Sequence, residues 1–167
     1  MDGMSIDDLK SDSGALNPIQ FLQKHGDGFL LVFARAGERL RRDQVSTRVD
    51  ENVTSSIQLR IFAVQSEFDW IDVGRTPNND ISIPDNTISK LHAWFKRESN
   101  GRFTLYDAGS RNGTRVDDQR VGERGRAEGI LLAGSASIEF GSVRARFVTA
   151  EILQDFICTV TQQQRPT

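Results

Sequence analysis

The central part of the chain alternates apolar and polar residues, a pattern typical of β-strands. From Ile57 the apolar side chains recur at every second position, through Leu59 to Ile61. After a polar segment near Ser66, the run Phe68–Val73 resumes the alternation. Because successive side chains of a strand point to opposite faces, this spacing predicts two strands. The short polar segment between them predicts that the two strands form a hairpin.

Further short strands follow, separated by clusters of Gly, Asn and Asp that are typical of turns. We predict them at residues 81–83, 93–97, 103–106, 129–132, 137–140 and 143–148. No helix-length segment lies between them, so the spacing does not favour a parallel sheet built from strand–helix–strand units. The pattern predicts an all-β fold, an antiparallel β-sandwich.

Two helices and one further strand are predicted outside this region. Leu16–Lys24 has apolar residues near helical spacing, with Pro18 suited to the first helical position. Phe29–Phe33 is a short unbroken apolar run that predicts a buried strand. Ala150–Val160 predicts a C-terminal helix that packs on the sandwich, at a sheet edge that would otherwise be exposed. Its apolar stripe consists of Ile152, Leu153, Phe156 and Ile157.

These elements divide the chain into four parts. Residues 1–28 are predicted to be a flexible tail and a short helix, and residues 29–56 an extra strand and a polar loop. Residues 57–148 form the predicted sandwich, and residues 149–167 the C-terminal helix and tail. A chain of 167 residues is long enough for one such domain with its own hydrophobic core. The cluster Glu38–Asp43 could form a phosphate-binding patch with its three Arg, but we favour a solvated face, because acids are interleaved with the cations.

Composition and charge argue against several classes of function. The net charge of −2 provides no overall field that would attract nucleic acid or an anionic membrane. Cys158 is the only cysteine, which rules out an intrachain disulfide and a Cys-rich zinc site. We expect no metal and no cofactor. With no signal peptide and no apolar run of membrane-spanning length, a soluble, cytoplasmic protein is expected. The chain contains no Walker loop, kinase signature or Gly-x-Ser-x-Gly elbow, so we do not expect an enzyme.

Four short motifs follow one another in a fixed order between Val73 and Val116. They are Val73-Gly74-Arg75, Asn79-Asp80-Ile81, Ser89-Lys90-Leu91-His92 and Asp107-Ala108-Gly109-Ser110-Arg111-Asn112-Gly113-Thr114. Each motif alone is weak, but the ordered set resembles the forkhead-associated (FHA) domain. The resemblance implies a β-sandwich that binds phosphothreonine peptides noncovalently. The implied partner is a phosphothreonine-containing protein, either a substrate of a Ser/Thr kinase or the kinase itself.

The motifs supply donors that suit a phosphate. Arg75 can bond two phosphate oxygens with its planar fork, although by itself it could equally be a surface residue paired with Asp80. Ser89 offers a hydroxyl and a backbone N–H, and Lys90 offers a point charge, although an isolated Ser is more often a turn former. Arg111 stands where some family members have a Thr or Ser phosphate donor. It could still donate to phosphate or to an acidic peptide side chain.

The remaining motif residues are expected to shape the loops. Catalysis or metal binding by His92 is disfavoured, because His25 is the only other histidine and no acid or cysteine stands at ligand spacing. The resemblance implies that His92 holds the loops by hydrogen bonds and that the amide of Asn112 bonds the peptide backbone. Asn112 and the glycine after it also predict a tight turn with φ > 0. The predicted loop scaffold consists of Gly74, His92, Gly109, Gly113 and Thr114.

Two further features leave alternatives open. Strict alternation turns one set of side chains inward (Ala93, Phe95, Phe103, Leu105 and Asp107) and another outward (Trp94, Thr104 and Tyr106). The outward Trp94 and Tyr106 form either an additional protein-binding surface or, as we favour, a surface covered by the N-terminal helix or strand. Thr47 is followed three positions later by Asp50, so phosphorylated Thr47 could occupy a neighbour's site and cause self-association. The main alternative function is a phosphate-independent interaction scaffold with the same fold.

Overall fold

The computed structural model describes residues 18–35 and 57–163, together with Leu9 and Ser11. The two helices of this part are α1 Pro18–His25 and α2 Ala150–Gln163. Its strands are β1 Gly28–Arg35, β2 Ile57–Ala63, β3 Trp70–Gly74, β4 Ile81–Ser82, β5 Ala93–Arg97, β6 Phe103–Asp107, β7 Thr114–Val116, β8 Gln119–Arg120, β9 Ile130–Leu132, β10 Ser135–Phe140 and β11 Val143–Thr149. The predicted tail, the polar loop with its Arg cluster, and Thr47 lie outside the described residues.

The strands form two sheets. One has six strands in the order β2-β1-β11-β10-β7-β8, and the other has five in the order β4-β3-β5-β6-β9. Neighbouring strands are antiparallel, except that β3 and β4 pair in parallel. The prediction of an all-β sandwich is confirmed. None of the helices among the described residues is long and apolar enough to cross a membrane.

The predicted hairpin of residues 57–73 is wrong. β2 pairs with β1, whereas β3 belongs to the other sheet and pairs with β4 and β5. The reason is visible in β2, where Ile61 and its neighbour Phe62 are each only 1% exposed. A strand with apolar side chains on both faces suits a position in which both faces are covered. The polar segment after Val64 therefore connects the two sheets.

Hydrophobic clusters lie on both faces of the six-stranded sheet, and the outer cluster covers only its β2, β1 and β11 part. Leu30, Phe62 and Phe147 belong to the core between the sheets, where Phe147 lies 5.5 Å from Phe103 between ring centroids. Their chain neighbours Phe29 and Ile61 belong to a second cluster, which includes residues of both helices. This double burial explains why the β1 sequence is an unbroken apolar run.

The C-terminal helix forms as predicted, but its contacts differ. Leu153 and Ile157 are buried in the second cluster, whereas Ile152 is 41% and Phe156 54% exposed. The predicted stripe is therefore only half correct. The helix packs on α1, β1 and β11, which places it on the face of the sheet and not at an edge. An edge position is excluded because β1 and β11 are both interior strands.

The outward aromatic residues of the five-stranded sheet are not covered by the N-terminal elements. α1 and β1 belong to the other sheet and its outer helical layer. Trp94 and Tyr106 are half-buried mainly through Trp70, whose ring centroid lies 6.3 Å and 5.6 Å from theirs. The Arg124 guanidinium lies 3.9 Å from the Trp70 ring centroid. The prediction of N-terminal cover is therefore wrong, because these side chains shield one another.

Two short strands were missed in the sequence. β7 and β8 form a hairpin whose turn consists of Asp117 and Asp118, with φ angles of 47° and 67°. Two successive residues with positive φ are typical of a tight hairpin turn, for which Asn-Gly is the usual signal. Asp tolerates this backbone region, so the pair forms the turn without glycine. The hairpin places β8 at the edge of the six-stranded sheet, beside the loop of Asn112.

Candidate functional site

The four sequence motifs meet at one end of the sandwich, where β3 ends. The N–H of Arg75 donates to the Ser89 carbonyl oxygen at 2.9 Å, and the N–H of His92 donates to the Val73 carbonyl oxygen at 2.8 Å. These two bonds join the loop after β3 to the loop before β5. The first and third motifs are therefore held side by side by their backbones.

Gly74 is required by the close approach of these loops. A Cβ added at this position would lie 2.1 Å from the Lys90 carbonyl oxygen and 2.7 Å from both terminal atoms of the Asn79 amide. Backbone oxygen cannot move away cheaply, so any larger residue would push the two loops apart. The predicted scaffold position of Gly74 thus has a steric reason.

Asn79 links the same two loops, and sequence reasoning gave it no role. Its side chain is buried, and Nδ2 donates to the Thr76 carbonyl oxygen at 2.7 Å and to the Lys90 carbonyl oxygen at 2.8 Å. Nδ2 also lies 2.9 Å from the Thr76 hydroxyl. The signal was available, because Asn79 opens the second of the four motifs.

We expect Asn79→Ala to lower the free energy of unfolding by about 2 kcal/mol, because the substitution removes the buried amide that links the Thr76 and Lys90 carbonyl oxygens. The neighbouring Asn78 is exposed and provides a matched control, for which Asn78→Ala should change stability by less than about 0.5 kcal/mol. Chemical denaturation of the three proteins measures both values. Equal stabilities of the two variants would contradict a linking role for Asn79.

His92 connects the loop before β5 to the loop before β7. Its ring is fully buried, with Nδ1 3.0 Å from the N–H of Ser89 and Nε2 3.1 Å from the Gly113 carbonyl oxygen. A backbone N–H can only donate, so Nδ1 is the acceptor and Nε2 carries the proton that it donates to Gly113. The neutral ring therefore satisfies both loops, and burial lowers the pKa of His92 below its usual value.

This pKa shift predicts a pH-dependent stability. The folded protein holds His92 neutral, whereas the unfolded chain protonates it near pH 6.5. The stabilising contribution should be complete above about pH 6.5 and decrease as the pH falls from there toward the lower folded-state pKa. Thermal melting between pH 5 and 8 measures the slope, and His92→Gln should flatten it. A slope that persists unchanged in this variant would assign it to other groups.

A buried carboxylate organises the fourth motif. Asp107 Oδ1 accepts the N–H of Ser110 at 2.7 Å, and Oδ2 accepts the hydroxyls of Ser110 at 2.7 Å and Thr114 at 2.6 Å. The Ser110 hydroxyl oxygen accepts the N–H of Gly113 at 2.9 Å. Burial alone would raise the pKa of Asp107, but the bonds from Thr114 and Ser110 stabilise the charged form, and its pKa is lowered. Sequence reasoning had assigned Asp107 only an inward position on its strand.

The backbone of this motif turns at its glycines. Gly109 and Gly113 have φ angles of +76° and +82°. Asn112 is not among the residues with positive φ, so the expectation that it would share this conformation is wrong. The backbone of the turn adopts the left-handed region only at its two glycines, where the absence of a Cβ removes the steric cost. Thr114, the fifth predicted scaffold residue, is fully buried at the start of β7.

The structure brings Ser89, Arg111 and Asn112 together from two loops. The Ser89 hydroxyl oxygen accepts the N–H of Arg111 at 3.0 Å, which leaves its O–H proton to donate elsewhere. The backbone N–H of Ser89, predicted to be a phosphate donor, is instead bonded to His92. Asn112 Nδ2 donates to the Thr87 carbonyl oxygen at 2.7 Å. Its Oδ1 accepts no hydrogen bond from any residue that the structure describes.

Three cations surround this arrangement. Arg75, Lys90 and Arg111 are exposed, and their side chains form no hydrogen bond or ion pair with any residue in the described part of the chain. The alternative pairing of Arg75 with Asp80 is not formed. Asp80 Oδ2 accepts the N–H of Asp72 at 3.0 Å, and burial raises its pKa. Positive charge thus collects at one end of a chain whose net charge is negative.

Comparison with known proteins agrees with the motifs. The model of the FHA domain family matches residues 71–141. Glycogen accumulation regulator GarA of Mycobacterium tuberculosis is 37% identical over 76 residues, which is 46% of this chain and 43% of that protein. An oxoglutarate dehydrogenase inhibitor of Corynebacterium diphtheriae is 36% identical over 75 residues, 45% of this chain and 48% of that protein. The chain thus matches less than half the length of either curated relative.

The FHA domain of the CT664 protein from Chlamydia trachomatis is 20% identical, with a TM-score of 0.49 over 72% of this chain and 96% of that one. The family model spans all four motifs from β3 to β10, including every residue of the site described above. The part of the chain that contains all four motifs, residues 71–141, therefore matches the forkhead-associated (FHA) domain family.

Proposed function

We propose that this protein is a phosphothreonine-binding module that mediates phosphorylation-dependent protein–protein interaction in signalling. The observation that carries the proposal is the set of unpaired cations beside the free hydroxyl of Ser89. Exposed Arg and Lys side chains commonly find acids on their own surface, yet Arg75, Lys90 and Arg111 have none among the described residues. A ligand with concentrated negative charge supplies the missing partner.

The chemistry of the donors suits a phosphate monoester. A bound phosphate carries about −1.5 to −2 charges and three strong acceptor oxygens. The Arg75 guanidinium offers two parallel N–H donors, which match two phosphate oxygens. The Ser89 O–H offers a third donor, aligned by the bond that its oxygen accepts from Arg111. Lys90 and Arg111 add charge around the same oxygens.

Asn112 is proposed to hold the backbone of the peptide. Its Nδ2 is fixed to the loop of Thr87, so the amide plane has a defined orientation and presents Oδ1 to an incoming N–H. A bond to backbone positions the peptide without selecting its sequence. Because the groups bind and orient a peptide without a nucleophile or general base beside the phosphate, we propose a binding role and no reaction.

The names of the relatives support a regulatory setting. One is a glycogen accumulation regulator, and another is an oxoglutarate dehydrogenase inhibitor. Both names describe a regulatory role. For this chain we propose a phosphorylated partner, either a Ser/Thr kinase or a protein that such a kinase modifies. We also propose that the interaction takes place in the cytoplasm, where such a kinase would phosphorylate its substrates.

The test uses three versions of each member of a peptide library, with phosphothreonine, phosphoserine or unmodified threonine at the central position. Isothermal titration calorimetry should detect binding only for phosphorylated versions, with phosphothreonine preferred. Burial of the single extra methyl group contributes about 0.8 kcal/mol, which is a preference of roughly fourfold. Equal affinity for modified and unmodified peptides would instead establish a phosphate-independent scaffold.

A further inference from the structure

A row of charged side chains crosses the outer face of the six-stranded sheet and ends beside the loop of Asn112. Strand pairing places Arg144 opposite Glu139, Glu139 opposite Arg115, and Arg115 opposite Arg120. Residues directly opposite one another on neighbouring strands share a face. The row therefore contains three cations and one anion. The anion is already engaged, because Arg144 Nε lies 3.6 Å from Glu139 Oε1.

The positive charge at the end of the row is not neutralised by any residue that the structure describes. Arg115 and Arg120 are directly opposite each other, and like charges in this arrangement repel. Arg115 Nη1 donates to the Asp118 carbonyl oxygen at 3.3 Å, which satisfies a donor but provides no counter-charge. The exposed side chain of Arg120 has no hydrogen bond or ion pair with any residue that the structure describes. An anion at this edge would remove the repulsion.

The position of Arg120 relates it to the peptide site. A Cβ added at Gly113 would lie 3.7 Å from Arg120 Nη2 and 4.0 Å from its Nε. The guanidinium therefore lies over the backbone of Gly113, next to the residue that is proposed to hold the peptide. Because glycine has no side chain there, nothing at position 113 separates Arg120 from a chain crossing the turn.

We infer that Arg120 is a specificity-determining residue that binds a carboxylate side chain of the peptide, within three residues of the phosphothreonine. This inference rests on the proposed function, since it requires a phosphopeptide at Asn112. The guanidinium fork pairs with a carboxylate in the same way as it would with any planar two-oxygen anion. Arg75 and Ser89 recognise the phosphate, and Arg120 distinguishes among phosphorylated sequences.

The experiment is an aspartate scan of a phosphothreonine peptide whose other flanking residues are alanine. Aspartate is moved through each position from three before to three after the phosphothreonine, and affinities are measured for wild type, Arg120→Ala and Arg102→Ala. Arg102 is exposed and directly precedes β6, at the opposite end of that strand from Asp107. Replacing it with alanine changes the net charge by the same amount as Arg120→Ala. At one position, aspartate should increase wild-type affinity about threefold, in the range of a partly exposed ion pair.

Arg120→Ala should lose this preference and still bind the all-alanine phosphopeptide as wild type does, whereas Arg102→Ala should keep it. Arg120→Glu should reverse the preference, so that lysine at that position binds better than aspartate. A wild type that binds phosphothreonine without preferring aspartate anywhere, or an Arg120→Ala variant that keeps the preference, overturns the inference alone. Failure of every phosphorylated peptide to bind wild type overturns the proposed function and the inference together.

Discussion

Arg75→Ala is expected to weaken binding of a phosphothreonine peptide about a hundredfold. The substitution removes a guanidinium that is proposed to donate two charge-assisted hydrogen bonds to the phosphate, and together these would contribute about 3 kcal/mol. The free energy of unfolding should change by less than about 0.5 kcal/mol, because the side chain is exposed. The backbone bond from the N–H of residue 75 to the Ser89 carbonyl oxygen is retained by alanine.

The measurement is calorimetric titration together with chemical denaturation of the same samples. Arg75→Lys keeps the charge but not the two-pronged geometry, so it should recover only part of the affinity. Arg102→Ala again controls for net charge and should bind as wild type does. Wild-type affinity in Arg75→Ala would eliminate Arg75 as the phosphate ligand and, with it, the central step of the proposed function.

The alternation of apolar residues was a reliable guide to strands whose two faces differ. The predicted limits of β5 agree with the structure. The predicted end of β6, at Tyr106, is one residue short of the observed end at Asp107. Their inward residues are buried as predicted, with Phe95 and Leu105 fully inaccessible, whereas Thr104, which was predicted to face outward, is also buried. Such strands have one face on the core and one outside, so the local pattern contains the information needed.

The pairing partner of β2 could not be predicted from the alternation of apolar residues. Phe62 occupies a position that strict alternation assigns to the polar face, yet it is buried in the core between the sheets. β2 needs cover on both faces, and that cover comes from elements outside β2, namely β3 to β6 on one side and the two helices on the other. The nearest strand in sequence was therefore a poor guide to the pairing partner.

The motifs located the site but revealed only part of its support. Ligand roles could be proposed for exposed residues, from side-chain chemistry for Arg75 and from the resemblance to the family for Asn112. Asn79 and Asp107 were inside the same motifs, but their contribution depends on which backbone groups the folded loops bring within reach. One signal was available for Asp107. A carboxylate predicted to face inward requires buried donors, and hydroxyl residues follow it at positions 110 and 114.

Asp107→Ala is expected to have the largest effect on stability, a loss of about 3 kcal/mol in the free energy of unfolding. The substitution removes the acceptor of three hydrogen bonds, and it leaves the fully buried Thr114 hydroxyl without its partner. Removal of a buried, hydrogen-bonded carboxylate is costly mainly because the donors around it are then unsatisfied. Denaturant titration measures the loss, and Asp69→Ala, at an exposed acid, should be close to wild type.

The same substitution separates the scaffold role from a ligand role. Asp107 lies beneath the loop and has no proton to offer a phosphate when ionised, so its effect on binding must pass through the position of Arg111 and Asn112. Asp107→Asn keeps the size and one acceptor oxygen, and it should recover part of the stability and of the phosphopeptide affinity in parallel. If Asp107→Ala kept wild-type stability while losing affinity, Asp107 would act at the ligand itself, and the assignment of the fourth motif as a preorganised loop would be wrong.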